Sequence, residues 1–317
     1  MSIKLKLDFE ITPLGLKLRH GEPCVLLGSC FSDEIGSCFK ANGFDALSNP
    51  FGTIFHPLPL SRMIQDTLTE RAEERIFARN DLYFSWDAAG TVFAFSENAL
   101  YEQLRVKRVQ LGDYLRSAKY LFITFGSAFG YTENNIDEIV ANCHKMPANS
   151  FEKDLTELQI LVDSWSETLA MLSRVNPDLQ VVFTVSPVRH IKDGLIENNR
   201  SKARLFELIQ SLSSPAVHYF PSYEIVMDEL RDYRFFKPDG IHPNEQAIQY
   251  VWSRLQETVL SEATQLICAE IMSLRRLAAH KTLYADSIEA NKFEAYFAKK
   301  LSTFLVTHPE AVWNEKP

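Results

Sequence analysis

Short apolar runs alternate with amphipathic stretches over the first three quarters of the chain. Four runs have the apolar, β-branched and aromatic character of strands buried on both faces: 23–27, 118–125, 179–185 and 217–220. Helical spacing of apolar positions occurs at 32–41, 60–69, 155–175 and 201–212. Strands that alternate with helices predict βαβ units, and therefore an α/β protein built as a three-layer α/β/α sandwich with a mostly parallel sheet.

Two parts of the chain depart from this alternation. Residues 82–95 contain two β-rich runs joined by a short linker that ends in glycine, which predicts a β-hairpin inserted into the α/β body. After residue 243 the pattern becomes helical, at 244–259, 262–280 and 287–304. We therefore expect one domain over residues 1–262 and a helical C-terminal extension over 263–317, which serves either internal packing or association into a homo-oligomer.

Composition narrows the functional classes. The chain has 317 residues, 46% of them hydrophobic and 23% charged, and a net charge of −8, which disfavours a nucleic-acid partner. A segment that spans a bilayer needs about 18 apolar residues, and no stretch of the sequence approaches that length. The N-terminus also lacks a signal-peptide pattern, so we expect a cytoplasmic protein without a membrane partner. The five cysteines show no CxxC spacing, which favours neither a disulfide framework nor a metal site. We expect no cofactor.

The candidate chemistry lies at two distant points of the sequence. Ser29 follows the first predicted strand and precedes a helix, which is where α/β proteins present reactive side chains. Asp239 and His242 stand three residues apart in a loop. A neutral imidazole of His242 could take the proton of Ser29, with Asp239 fixing the ring tautomer. The backbone N–H of Cys30 and that of a nearby loop glycine would face the developing oxyanion.

Four short motifs together resemble a known family. They are GSCFS at 28–32, NPFG at 49–52, ANCHKMP at 141–147 and DGIHP at 239–243. In this combination the chain resembles the GSCFA family, which belongs with the SGNH, or GDSL-like, hydrolases, over roughly residues 20–260. The resemblance implies that Ser29 is the nucleophile and that His242, with Asp239, is its base. It also implies that Gly52 donates a backbone N–H to the oxyanion.

The chain departs from the SGNH pattern after the strand at 118–125. SGNH hydrolases usually carry an asparagine two residues after a glycine there, and this chain has Ala128 in that place. Asn142 is one candidate to replace the missing oxyanion donor and Asn49 is another. Loss of one such donor can lower the rate about 100-fold. The presence or absence of a replacement therefore separates an efficient hydrolase from a weak one.

Further residues have two possible roles each. The thiol of Cys30 is a stronger nucleophile than serine but is more consistent with a buried thiol. His144 with Cys143 resembles half of a metal site, but the pair is more consistent with a structural or substrate-contacting loop. Arg189 and His190 follow a strand and either grip a carboxylate or sugar hydroxyl or form a plain surface loop. His56 either lines the pocket or is an ordinary loop histidine.

The sequence therefore predicts a serine hydrolase that acts on an ester through an acyl-enzyme. The resemblance implies a small-molecule substrate such as a short acyl group on a carbohydrate or similar polar carrier. Two alternatives stay open: an O-acyltransferase on the same scaffold, and a catalytically weak module that binds a carbohydrate or a partner.

Overall fold

The computed structural model describes residue 7 and residues 9–70, 74–280 and 287–313. Its strands are β1 (Cys24–Gly28), β2 (Ala46–Ser48), β3 (Ile76–Arg79), β4 (Leu82–Ser85), β5 (Phe93–Ala94), β6 (Tyr120–Phe125), β7 (Phe129–Glu133), β8 (Glu138–Ile139), β9 (Phe151–Leu155), β10 (Gln180–Val185) and β11 (Val217–Tyr219). Its helices are α1 (Cys30–Ala41), α2 (Pro57–Leu68), α3 (Glu97–Ser117), α4 (Leu158–Val175), α5 (Leu195–Ser211), α6 (Ser222–Glu224), α7 (Glu245–Val259), α8 (Glu262–Ala278) and α9 (Ile288–Thr307). A π-helical turn, Ile225–Glu229, continues α6.

The centre of the molecule is a parallel sheet of five strands in the order β2, β1, β6, β10, β11. This confirms the predicted mostly parallel sheet and corresponds to the doubly wound order 2-1-3-4-5. The chain reverses its direction of travel across the sheet between β1 and β6. In open α/β sheets, ligands bind beyond the carboxyl ends of the strands at such a switch point.

Alternating side chains of the buried strands divide the core into two layers. Val25 and Leu27 of β1 face the helices α2, α3, α4 and α5. Cys24 and Leu26 of the same strand face α1 and α7. Because successive side chains of a strand point to opposite faces, one short apolar run supplies both cores. Helices thus cover both faces of the sheet, which gives the predicted three layers.

Two antiparallel sheets extend this sandwich. The predicted hairpin at 82–95 is present as β4 and β5, where Tyr83 pairs with Ala94, but β4 also pairs along its length with β3. The sequence reasoning missed β3, as it missed the sheet of β8, β7 and β9 and the long helix α3. Residue 155, predicted to begin a helix, instead ends β9, and α4 begins at Leu158.

The C-terminal helices α8 and α9 share a small core of their own, composed of Ile271, Leu274, Phe304 and Ala311. They dock on the end of α1, where Arg275 donates from Nε to the carbonyl oxygen of Ala41 at 2.6 Å. The N–H of Val312 donates to the carbonyl oxygen of Gly43 at 2.8 Å. Parts of the predicted extension, 281–286 and 314–317, lie outside the described residues. Within the described ranges, no helix has the length and apolarity needed to cross a bilayer.

Candidate active site

Ser29 lies in a tight turn between β1 and α1. Gly28 has a φ of +131°, and a Cβ there would overlap the backbone of Thr124 in the neighbouring strand, so the close approach of β1 to β6 requires glycine. The N–H of Ser29 donates to the carbonyl oxygen of Thr124 at 3.0 Å. The side chain caps α1, its Oγ accepting from the N–H of Phe31 at 3.3 Å. The nucleophile candidate is therefore held at the carboxyl end of β1.

The N-cap of α1 is Ser29 itself, and Ser32 lies in the first turn of the helix. The hydroxyl of Ser32 is buried and donates to the carbonyl oxygen of Leu27 at 3.0 Å. Capping by Ser29 places its Oγ at the positive end of the α1 dipole, which favours a developing negative charge. The N–H of Cys30 belongs to the first turn, where a helix leaves its N–H groups without an intrahelical acceptor.

Asp239 and His242 form a hydrogen-bonded pair in the loop before α7. His242 Nδ1 lies 2.7 Å from Asp239 Oδ2, and the other carboxylate oxygen accepts the N–H groups of Ile241 at 2.8 Å and His242 at 3.0 Å. These backbone hydrogen bonds, with the contact to the ring, lower the pKa of Asp239 to about 2. The carboxylate is therefore ionised at neutral pH. A carboxylate in this position can accept only an N–H, so whenever the imidazole carries one proton that proton is favoured on Nδ1, with Nε2 left free to act as a base.

Two contacts of Lys237 tie the histidine loop to the helix that begins at the serine. The N–H of Lys237 donates to the carbonyl oxygen of His242 at 2.7 Å. Its Nζ lies 3.1 Å from Glu34 Oε1, in the amino-terminal half of α1. The structure thus brings the DGIHP loop to the same end of α1 as Ser29. Such exposed ion pairs contribute little stability, but this one records the proximity of the two segments.

Asn49 braces the serine turn. It has a φ of +38°, its Oδ1 accepts the N–H of Gly28 at 2.8 Å, and its Nδ2 donates to Asp33 Oδ1 at 2.9 Å. Thr53 donates to the other oxygen of Asp33 at 3.1 Å. Both polar ends of the Asn49 side chain are therefore engaged within the protein. The expected contact of Asn49 with a substrate or oxyanion is replaced by a bracing role.

Gly52 has a different role from the one the resemblance implies. Its N–H donates to the carbonyl oxygen of Asn49 at 2.8 Å and closes a turn, so it does not point to an oxyanion in this structure. The φ of Gly52 is +74°, and a Cβ would press against Ala89 in the loop between β4 and β5. The glycine is required by the turn and by this packing.

Neither Ala128, the position of the missing asparagine, nor Asn142, the candidate to replace it, is joined to the serine turn by a hydrogen bond among the described residues. Ala128 is fully buried, its N–H donates to Ser201 Oγ at 2.8 Å, and its carbonyl oxygen accepts the N–H of Thr156 at 3.0 Å. A donor at that position would be enclosed in the core. Asn142 accepts the N–H of His144 at 2.7 Å, and its Oδ1 lies beside Gly90. No hydrogen bond among the described residues joins Asn142 to the serine turn.

Two of the candidate histidines are core residues. His56 is 3% exposed and caps α2, with Nδ1 accepting from Leu58 and Nε2 at 3.0 Å from Thr156 Oγ1. Burial lowers the pKa of His56 to about 3. His144 packs among the aromatic rings of Phe77, Phe84 and Trp86. Burial lowers its pKa to about 4, so both rings are neutral, and neither is presented to a ligand.

Arg189 and His190, by contrast, lie at the carboxyl edge of the sheet. The ring of His190 packs on Phe55 at 5.1 Å between centroids and lies next to Gly126, the residue that follows β6. Burial, followed by the charge of Lys202, lowers the pKa of His190 to about 4. The guanidinium of Arg189 donates to Asn199 Oδ1 at 3.2 Å. Both residues thus lie at the edge of the sheet where ligands of α/β proteins bind, and their contact with a substrate stays a prediction.

The GSCFA family model matches residues 23–255, which is more than half of the chain. The chain belongs to the GSCFA family. A comparison with curated proteins finds no match for this GSCFA protein.

Solved structures that resemble the GSCFA protein do so at low identity. A carbohydrate esterase family 3 protein from Talaromyces cellulolyticus is 9% identical with a TM-score of 0.36, covering 78% of this chain and 98% of its own. The lipopolysaccharide acetyltransferase periplasmic domain of Salmonella ser. Paratyphi A is 9% identical with a TM-score of 0.35, covering 77% and 85%. An acetyl xylan esterase from Butyrivibrio proteoclasticus is 11% identical with a TM-score of 0.38, covering 75% and 63%. At these values the matches assign neither activity nor substrate.

The sequence reasoning missed one residue of this GSCFA site. Lys202 of α5 is 2% exposed, and its Nζ donates to the carbonyl oxygens of Gly126 at 2.6 Å and Ser186 at 2.7 Å, directly after β6 and β10. Burial, followed by the charge of Arg189, lowers its pKa to about 7. A signal was present in the sequence: positions 202, 205 and 209 share one helix face, so the lysine falls on the apolar stripe of α5.

Proposed function

We propose that this GSCFA protein is a serine hydrolase that cleaves an ester through an acyl-enzyme on Ser29. The ester joins a short acyl group to a carbohydrate or similar polar carrier. The observation that carries the proposal is the Asp239–His242 pair, held at 2.7 Å in a loop that is tied to the helix capped by Ser29. An oriented imidazole in a loop bound to this end of α1 supplies a base, and the helix N-terminus supplies the electrostatic setting that such a nucleophile needs.

The proposed reaction has two halves. In the first, His242 Nε2 takes the proton of Ser29 as Oγ attacks the acyl carbon, and the carbonyl π electrons move onto oxygen. The C–O bond to the carrier then breaks, and the imidazolium returns its proton to the leaving alcohol oxygen. In the second half, His242 removes a proton from water, the resulting hydroxide attacks the acyl carbon, and the bond to Ser29 Oγ breaks. Oγ recovers the proton from His242 and the free acid leaves.

Three groups support these steps electrostatically. The ionised carboxylate of Asp239 stabilises the imidazolium that forms on His242. The N–H of Cys30 and the α1 dipole stabilise the oxyanion. Lys202 binds the carbonyl oxygens of Gly126 and Ser186. Those oxygens lie at the end of the sheet where the oxyanion grows, so their engagement reduces repulsion of the developing charge.

The test is intact-mass spectrometry after reaction with a fluorophosphonate, which labels serines that a neighbouring base has activated. We expect one adduct on the wild type, mapped by peptide sequencing to Ser29, and none on Ser29→Ala or His242→Ala. Ser37→Ala is a matched control, because Ser37 is an exposed serine of the same helix. A wild type that stays unlabelled, or a Ser29→Ala variant that is labelled, contradicts the proposal.

A specific observation favours a second candidate function. The side chain of Asn49 and the N–H of Gly52 are both engaged within the protein, which leaves the oxyanion side with few donors. A scaffold of this kind could bind an acylated carbohydrate without turning it over. An unlabelled wild type that still binds oligosaccharide supports this second function. An O-acyltransferase differs from the hydrolase only in the alcohol that receives the acyl group, and product analysis with added acceptor alcohols separates the two.

A further inference from the structure

A cavity of about 790 Å³ adjoins the Asp239–His242 loop, and nothing in the proposed chemistry uses it. We call it the Tyr233 groove. Its walls combine the polar side chains of Arg189, Asp228 and Arg231 and the ring of Tyr233 with apolar side chains such as Met227 and Ile241. The volume lies within the range of about 300–1,000 Å³ that is typical of small-molecule sites.

The Tyr233 groove shares a wall with the proposed catalytic base. Asp239, Gly240 and Ile241 line it, and Asp239 is also the partner of His242 Nδ1. Arg189 follows β10, which is separated from β1 by β6 alone. Two strand spacings amount to about 10 Å. A ligand one or two sugar rings long could therefore lie in the groove while its ester bond reaches Ser29.

An exposed aromatic ring stands at the rim of the groove. Tyr233 is 81% exposed, its centroid is 6.0 Å from that of Phe236, and its Cε1 lies 3.8 Å from the position a Cβ of Gly240 would take. The ring therefore leans on the DGIHP loop with one face open. An aromatic ring in such a place offers a flat apolar surface, with a hydroxyl at its tip.

The polar groups of the groove are of both signs. Asp228 and Arg231 are exposed, and neither forms an ion pair within the described part of the chain. Arg189 bonds through one nitrogen to Asn199, which leaves further N–H donors. Donors and acceptors thus line one surface without a clear excess of either charge.

These features select among ligand chemistries. A long acyl chain would desolvate Arg189 and Asp228 without replacing their hydrogen bonds, which is costly. An anionic carrier would meet three carboxylates, those of Asp228, Asp232 and Asp239, against the two guanidinium groups of Arg189 and Arg231, so the charge of the groove does not favour it. A saccharide ring satisfies all three features, because each hydroxyl both donates and accepts and the ring presents an apolar C–H face to an aromatic side chain. We propose that the Tyr233 groove binds the saccharide portion of the ester, an inference that rests on the proposed function.

The test measures binding without turnover. Saturation-transfer difference NMR is recorded for a mixture of cellotriose, xylotriose, maltotriose and chitotriose on the full chain carrying Ser29→Ala, alone and combined with changes at Tyr233. We expect transfer to at least one sugar, a decrease of about fivefold or more with Tyr233→Ala, and retention with Tyr233→Phe, since the ring carries the contact. Tyr296→Ala, a half-exposed tyrosine on α9, is the matched control and should leave the signals unchanged.

The outcomes separate the groove from the proposed reaction. Absence of transfer to any of the four sugars, or equal transfer with Tyr233→Ala, overturns the saccharide assignment even if fluorophosphonate labels Ser29. Transfer that depends on the Tyr233 ring supports the assignment even if labelling fails, in which case the hydrolase proposal falls alone. Arg189 lines the same groove, so Arg189→Gln should also lower the transfer signal, by about twofold or more. An unchanged signal with Arg189→Gln contradicts binding of the sugar in the Tyr233 groove.

Discussion

Replacement of Lys202 by methionine should change how stability depends on pH. The pKa of Lys202 is lowered to about 7 in the folded protein, from 10.5 in an unperturbed lysine. Since the folded pKa is the lower one, the unfolded chain binds more protons between about pH 7 and pH 10.5, and the lysine makes the folded state more stable as pH rises through that window. Methionine has no such proton equilibrium.

The magnitude follows from the two pKa values. Each pKa unit corresponds to about 1.4 kcal/mol, so the full linkage across the window is about 5 kcal/mol, of which about 2 kcal/mol falls between pH 7 and pH 9. The variant also strands the carbonyl oxygens of Gly126 and Ser186, at about 1–3 kcal/mol each. That cost does not depend on pH, so it lowers the variant's free energy of unfolding by the same amount at every pH.

Urea unfolding followed by tryptophan fluorescence at pH 7, 8 and 9 provides the measurement. Burial raises the pKa of Cys38 and Cys268, which lowers stability at high pH, but this contribution is common to both proteins and cancels in the difference. From pH 7 to pH 9, the free energy of unfolding of the wild type should rise by about 2 kcal/mol relative to that of Lys202→Met. Lys192→Met, at an exposed lysine, should parallel the wild type. If the free energies of unfolding of wild type and Lys202→Met change with pH in the same way, the pKa of Lys202 is not lowered and the reasoning is refuted.

Three further changes test the site. Ser29→Ala should remove fluorophosphonate labelling, and persistent labelling would show that Ser29 is not the nucleophile. The same change should lower the free energy of unfolding by about 1 kcal/mol, because it deletes a helix cap. Asp239→Asn should slow labelling at pH 7 by about 100-fold or more, because the amide no longer fixes the tautomer of His242, and an unchanged rate would deny that role. Asn49→Ala should lower the free energy of unfolding in urea by about 2 kcal/mol, because the N–H of Gly28 and one oxygen of Asp33 lose their partner; a change below about 0.5 kcal/mol would contradict the bracing role.

Much of the fold could be predicted because it depends on local periodicity. The run at 118–125 is apolar on both faces, and β6 occupies Tyr120–Phe125 with every residue buried. The short strands β3, β7, β8 and β9 were missed because they carry no alternation strong enough to be distinguished from loops. Their structure depends on pairing with strands elsewhere in the chain, and β-propensity is more sensitive to that context than helix propensity.

Local spacing predicted part of the candidate site, and tertiary contacts decided the rest. Asp239 and His242 meet across three residues, so the sequence alone predicts their pair. The role of Gly52 depends on which acceptor its N–H finds, and only the folded loop shows that this acceptor is Asn49. His56 has the sequence context of a pocket residue, yet one of its ring nitrogens caps α2 and the other faces Thr156, 100 residues away.

The sequence by itself determined the parallel sandwich, the serine at the end of its first strand and the histidine–aspartate loop. All three depend on residues within a few positions of one another, whose spacing sets which side chains share a face or a turn. Tertiary structure decided that Lys202 lies beneath the strand ends, 76 residues from the carbonyl of Gly126, and that Tyr233 stands over a groove beside Asp239. Contacts across such separations depend on how the layers pack, and the local pattern of polar and apolar residues does not encode that packing.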